Sequence, residues 1–211
     1  PRFMAMYAVD DEKAGWKKGQ WHTAVPPQAR PDTGLTPVDY FGRKMVDNLP
    51  DSIKVGTITV AVGGASIDLF DKRTCKAYLK KQPDWMKNFA SQYNGNPYAR
   101  LIELAKIAQK QGVIKGILLH QGETNNGDAN WPNRVKTVYN DILKELHLKA
   151  EDVPLLVGET VQKDQGGSCW QHIAIVDDIA KTIPTAHVIS SKGCPQRGDG
   201  LHFIAESYRT M

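Results

Sequence analysis

The chain has 211 residues, 41% apolar and 24% charged, which suits one globular core and excludes a disordered, collagen-like or disulfide-dense protein. Its net charge of +4 comes from 27 basic and 23 acidic residues that are interspersed. Groups such as Lys17-Lys18, Lys80-Lys81 and Lys106/Lys110/Lys115 therefore read as solvated faces; no nucleic-acid partner is expected, and without an apolar run of about 18 residues no membrane span is expected.

In chain order, residues 3–8 read as a strand, followed by a long polar loop carrying Gly15, Gly19, Pro26, Pro27, Pro31 and Gly34. Thr36-Pro37 reads as an N-cap with Pro at the first helical position, opening a helix through Phe41, Met45 and Leu49. Residues 53–62 form a β-branched strand pattern ending in Gly63-Gly64. Residues 65–96 read as irregular.

From Pro97 the rhythm is plainer. Residues 98–111 are helical in pattern, with Leu101, Leu104, Ala105 and Ala108 on one face. Residues 116–119 read as a buried strand, Trp131 to Leu146 as a helix, 155–157 as a strand and 173–180 as a helix. Residues 186–189 form the last strand, and residues 204–209 a terminal helix. Strands separated by helices imply βαβ units and a parallel sheet covered on both faces, in one α/β domain.

Pro1 opens the chain without an initiator Met or leader, and Met211 closes it inside an apparent helix without a Gly or Pro stop. Both ends are expected to be truncated, so localisation is left open between compartments, secreted and periplasmic ones included. Cys75, Cys169 and Cys194 lack the spacing of a zinc or redox motif; Cys169 with Cys194 is the pair to test for a disulfide. The histidines His22, His147, His172 and His187 lack metal-ligand spacing, and no metal is expected.

Sites in open α/β sheets gather outside the carboxyl ends of the strands. Three unusual peptides fall there: Gly63-Gly64, His120-Gln121-Gly122-Glu123, and the stretch leading through Gly193 to Asp199-Gly200-Leu201-His202-Phe203. An Asp three residues before a His can set carboxylate and imidazole in one turn, leaving the other ring nitrogen to take a proton from a nucleophile. The competing reading is a loop Asp that caps the next helix above a packed His. Gly63 and Gly64 can offer backbone N–H groups to an oxyanion, or simply turn the chain. Gln121 offers an amide donor for a tetrahedral intermediate, or satisfies nearby backbone. Glu123 reads as an orienting partner and His120 as a packed strand-end ring. Trp16, Trp21 and Trp131 divide between sugar stacking and ordinary packing. No serine stands in a nucleophile elbow; Ser66, just past the double glycine, reads as structural.

These peptides, with Thr33-Gly34-Leu35-Thr36-Pro37 and the helix after it, resemble the SGNH (GDSL-like) hydrolase superfamily. More narrowly, they resemble its sialate O-acetylesterase-like members and the acetylxylan esterases of carbohydrate esterase family six. The resemblance implies a flavodoxin-like three-layer α/β/α sandwich with a parallel sheet of about five strands. It implies a Ser–His202–Asp199 triad, an oxyanion hole from Gly64, Gln121 and the serine N–H, an acetylated oligo- or polysaccharide substrate, and no cofactor. The Gly-Gln-Ser-Asn peptide that carries the serine in that group is absent. It would lie upstream of Pro1, after a first, central strand. The expected partner is therefore a complementary N-terminal fragment supplying that strand and the serine, because a sheet without it leaves interior backbone groups unpaired. Two rival readings are a carbohydrate-binding relative without a nucleophile and a phosphate-binding module.

Overall fold

Two separate three-stranded sheets, rather than one of five, form the middle layer of the computed structural model, which describes residues 1–211. In the first, β1 (Phe3–Met6) is central, antiparallel to β2 (Trp21–Thr23) and parallel to β3 (Val55–Ile58). In the second, β4 (Ile117–Leu119), β5 (Leu155–Gly158) and β6 (Ala186–Ile189) are all parallel, in that order. The three-layer α/β class and the parallel strands are as expected; the division of the sheet and the antiparallel edge strand are not.

The helices are α1 (Pro37–Asn48), α2 (Cys75–Lys80), α3 (Asp84–Ser91), α4 (Pro97–Ala108), α5 (Trp131–Glu145), α6 (Ile173–Asp177), α7 (Ile179–Thr182) and α8 (Ala205–Thr210). Side chains alternate across a strand, and β1 shows the consequence. Phe3 and Ala5 pack with Val46 of α1, while Met6 joins Leu104 and Ala108 of α4 on the opposite face. In the second sheet Leu155 and Val157 enter the largest cluster with Ile102, Trp131, Val135, Ile142 and Ile179. Helices α4 to α7 thus cover one face, and α1 and α8 the other.

Local signals mark three of the eight helix starts, α1, α4 and α5, each with Pro in its first turn. Pro97 follows Asn96, whose side chain accepts from the Ala99 N–H at 3.0 Å. Thr36 does occupy the N-cap of α1, but its hydroxyl makes no capping bond and is buried without a partner.

Several expectations need correction. The stretch 65–96 contains α2 and α3, and β2 lies inside the supposed polar loop. The strand expected over 53–62 is confined to Val55–Ile58. The helix over 173–180 is broken at Asp178 into α6 and α7. The strand at 116–119 is not buried: Leu118 is 43% exposed. All three cysteines are free thiols, so Cys169 and Cys194 are not paired.

Candidate active site

Asp199 and His202 stand on a loop closed at its base by an antiparallel bridge between Gln196 and Phe203, with the Arg197 N–H donating to His202 O at 2.9 Å. Asp199 Oδ1 accepts from the Leu201 and His202 N–H groups at 2.9 and 2.8 Å. Its Oδ2 lies 2.8 Å from His202 Nδ1. One carboxylate therefore fixes both the turn and the ring. The backbone donors of His202 and Leu201, and then the ring, hold the Asp199 carboxyl far below the usual carboxylate range. With Nδ1 turned to Asp199, Nε2 is free on a side chain that is 60% exposed. The competing reading fails on both counts, since Ile204, not Asp199, stands at the N-cap of α8, which has no side-chain cap, and His202 is not packed beneath it.

Gly200 is what lets this loop sit against its neighbour. Its φ is +76°, and a Cβ there would lie 2.3 Å from Ser168 Oγ. The Ser168 N–H in turn donates to Gly200 O at 2.9 Å.

Gly63 and Gly64 follow β3, exposed, and neither N–H has an acceptor within the protein. Gly64 takes φ +70°, and its carbonyl accepts from Thr124 Oγ1 at 2.7 Å. That bond joins the double-glycine turn to the loop after β4. Gln121 makes a second link: its Nε2 donates to Ala65 O at 3.2 Å and to Asn125 Oδ1 at 2.9 Å. Its Oε1 accepts the Trp131 indole N–H at 2.6 Å, which fixes which end of the amide is nitrogen. Both amide hydrogens are thus engaged within the protein. Glu123 makes no side-chain hydrogen bond; only its carbonyl is used, accepting from Cys169 Sγ at 3.6 Å.

The loops converge. The His120 ring stacks on Phe203 with centroids 5.8 Å apart, tying the end of β4 to the His202 loop. The Cys169–Glu123 and Ser168–Gly200 contacts connect the same two loops through residues 168–169. Gly64, Gln121 and the Asp199–His202 pair therefore share one rim, at the carboxyl ends of β3, β4 and β6. No serine hydroxyl bonds to His202, and Ser66 Oγ is spent on Asp68.

Some residues on this rim gave no signal in the sequence. Trp85 of α3 is 49% exposed, with an indole carbon 3.2 Å from where a Gly64 Cβ would stand. Trp16 and Trp131, by contrast, are buried packing residues, Trp16 stacked on Tyr7 at 3.7 Å. Glu159, at the end of β5, is buried and accepts from the Ser191 N–H at 2.7 Å and from Gln162 Nε2 at 2.6 Å. It clamps the ends of β5 and β6, and burial with its nearby charge pushes the Asp177 carboxyl up to about 6. A hollow of about 500 Å³ lies among Lys72, Lys76, Lys80 and Lys87, lined by none of these loop residues. No group of three or more His, Cys, Asp and Glu side chains is placed to hold a metal ion, and no helix is long and apolar enough to cross a membrane.

The fold matches that of an Arabidopsis thaliana protein solved by X-ray crystallography. The TM-score is 0.70 at 18% identity, covering 99% of this chain and 76% of the other. Residues 9–211 match the family of carbohydrate esterases described as sialic acid-specific acetylesterases. With that match running over nearly the whole length, this chain belongs to the sialic acid-specific acetylesterase family of carbohydrate esterases.

Proposed function

We propose that this chain carries the base and oxyanion half of a serine carbohydrate O-acetylesterase, acting on acetylated xylan or another acetylated sugar. The observation that carries the reading is the Asp199–His202 pair, 2.8 Å from Oδ2 to Nδ1, with Nε2 free on the rim that Gly64 and Gln121 share. The hydroxyl nucleophile comes from a polypeptide segment outside these 211 residues.

His202 Nε2 takes the serine proton as Oγ attacks the acetyl carbonyl carbon. Negative charge on the carbonyl oxygen is met by the Gly64 N–H, the serine N–H and the Gln121 amide. To donate there, Gln121 gives up its longer bond, the 3.2 Å one to Ala65 O. The imidazolium then protonates the departing sugar hydroxyl, leaving an acetyl-serine. Water, deprotonated by His202, attacks that ester and releases acetate. Asp199 stays ionised throughout and stabilises the imidazolium. Gly63 keeps the approach to Gly64 open, and exposed Trp85 supports the sugar ring.

The test is hydrolysis of p-nitrophenyl acetate and acetylated xylan by the chain together with a segment bearing the serine. Asp199→Asn should lower the rate by roughly 10⁴-fold, by analogy with the triad template. An unchanged rate in His202→Ala would defeat the mechanism. A mixture that neither hydrolyses these esters nor takes a fluorophosphonate label would favour a carbohydrate-binding role instead.

A further inference from the structure

Lysines from three segments converge on the hollow of about 500 Å³ beside α2 and α3. Lys76 and Lys80 stand one turn apart on α2, Lys72 on the turn before it, and Lys87 on α3. No aspartate or glutamate lines the space. Lys72 is held by Asp141 and Glu145 at 3.4 and 2.8 Å, and Lys87 by Asp84 at 3.4 Å. Lys76 and Lys80 are exposed, and their ammonium groups form neither an ion pair nor a hydrogen bond. Lys80, which the sequence presents as half of a solvated Lys80-Lys81 pair, thus shares a concave surface with three other like charges.

The floor and far wall are of another kind. Cys75 is buried and Leu79 half-buried between the lysines, which makes an apolar floor. Asn94 and Asn96 stand opposite, on the turn between α3 and α4. Asn96 Oδ1 accepts from the Ala99 N–H at 3.0 Å, but its amide nitrogen has no acceptor in the protein. The Asn94 side chain has no partner at all. The turn that presents them is fixed, with Asn94 at φ +55° and Gly95 at φ +70°. Their N–H groups donate to Ser91 O and Ala90 O, both at 2.8 Å. No aromatic ring lines the hollow, so a nucleobase has nothing to stack on.

The hollow lies outside the esterase rim but shares its walls. Tyr78 of α2 accepts the Ser66 N–H at 3.0 Å, and Trp85 of α3 stands against Gly64. The same two helices therefore carry Tyr78 and Trp85 to the Gly64 turn and the lysines to the hollow.

We propose that this hollow is a second carbohydrate site, one that binds a carboxylate-bearing segment of a polysaccharide rather than the ester. A cleft lined by one sign of charge concentrates ions of the other. Lys76 and Lys80 meet the sugar carboxylates, the free amides of Asn94 and Asn96 meet ring hydroxyls, and Leu79 receives a C–H face. Inorganic phosphate would satisfy the lysines alone, leaving the amides and the apolar floor unused. That the segment belongs to the polymer carrying the acetyl ester rests on the esterase reading; the affinity of the hollow for an anionic sugar does not.

The probe is unacetylated tetragalacturonate, titrated into the full chain by calorimetry while amide resonances are followed residue by residue. Shifts should gather at Lys76, Lys80 and Asn94, and affinity should fall steeply between about 0.05 and 0.5 M salt. Lys76→Gln combined with Lys80→Gln should weaken binding by about tenfold or more. Asn94→Gly, which keeps the left-handed turn and removes the amide, should weaken it less. Neutral xylotetraose should shift nothing in the hollow. Shifts confined to other residues, unchanged affinity in the double lysine variant, or equal binding of xylotetraose there would each overturn the proposal. So would inorganic phosphate binding as tightly as the oligosaccharide, or a single-stranded oligonucleotide binding more tightly. Binding by a chain that hydrolyses no acetyl ester with its serine segment would leave the hollow standing and sink the esterase reading; hydrolysis without binding would do the reverse.

Discussion

The indole N–H of Trp131 donates to Gln121 Oε1 at 2.6 Å, from the first residue of α5 to the loop that follows β4. A buried aromatic thereby decides which way an amide on the rim points. Trp131→Phe keeps the ring in the core but removes the donor, at a cost of about 1 kcal/mol in stability. The Gln121 side-chain amide should then lose its fixed orientation, seen as broadened amide resonances, while the core resonances around Val135 and Tyr139 stay in place.

The His172 ring is wholly buried, 4.7 Å from Trp131 in an edge-on arrangement, and neither of its nitrogens has a partner. Burial holds its pKa below the ordinary value, against the opposing pull of Glu123 and Asp128. The unfolded chain binds a proton below about pH 6.5, where the folded ring still resists it. Stability from this residue is therefore complete above about pH 6.5 and is lost as pH falls through the lowered folded value. Thermal melts at pH 5 and pH 7.5 should converge in His172→Leu; an undiminished gap would show that another group sets it.

Gly200→Ala should be the most damaging small change near His202. It puts a methyl group 2.3 Å from Ser168 Oγ at a residue with φ +76°, a conformational cost of about 1–3 kcal/mol before any clash is counted. Gly198→Ala, at φ +101° but with open space around it, supplies the comparison. Hydrogen exchange at Leu201 and His202, whose N–H groups bond to Asp199, should accelerate more in the Gly200 variant.

Trp85, exposed beside Gly64, is expected to form part of the sugar-binding surface. Trp85→Ala should weaken binding of an acetylated xylo-oligosaccharide by about tenfold, equivalent to roughly 1.4 kcal/mol. Titration calorimetry on the two proteins would settle it. Trp170→Ala, on the rim of a separate hollow of about 240 Å³, is the control.

The parts of this protein that were legible in the sequence are those set by neighbouring residues. The β1, β5 and β6 runs, the Pro-initiated α1 and α4, and the turns at their ends follow from alternation, capping and glycine content. β2 was invisible because three residues are too few to show a period, and α2 and α3 were hidden among Gly, Pro and charged residues. The break at Asp178 gave no warning, since Ile173, Val176 and Ile179 keep helical spacing across it. Trp85 gives no signal in the sequence, because exposure next to Gly64 depends on how α3 docks, not on its own sequence.

The sequence alone determined the Asp199–His202 couple: three residues of separation let one carboxylate bind its own turn and the ring, a local closure that needs no distant partner. Tertiary structure alone decided the direction of the Gln121 amide, the sharing of one rim by three loops, and the division of the sheet between β3 and β4. Those depend on hydrogen bonds and packing between segments far apart in the chain, such as Gln121 with Ala65 and His120 with Phe203, and no local pattern encodes which distant edges meet.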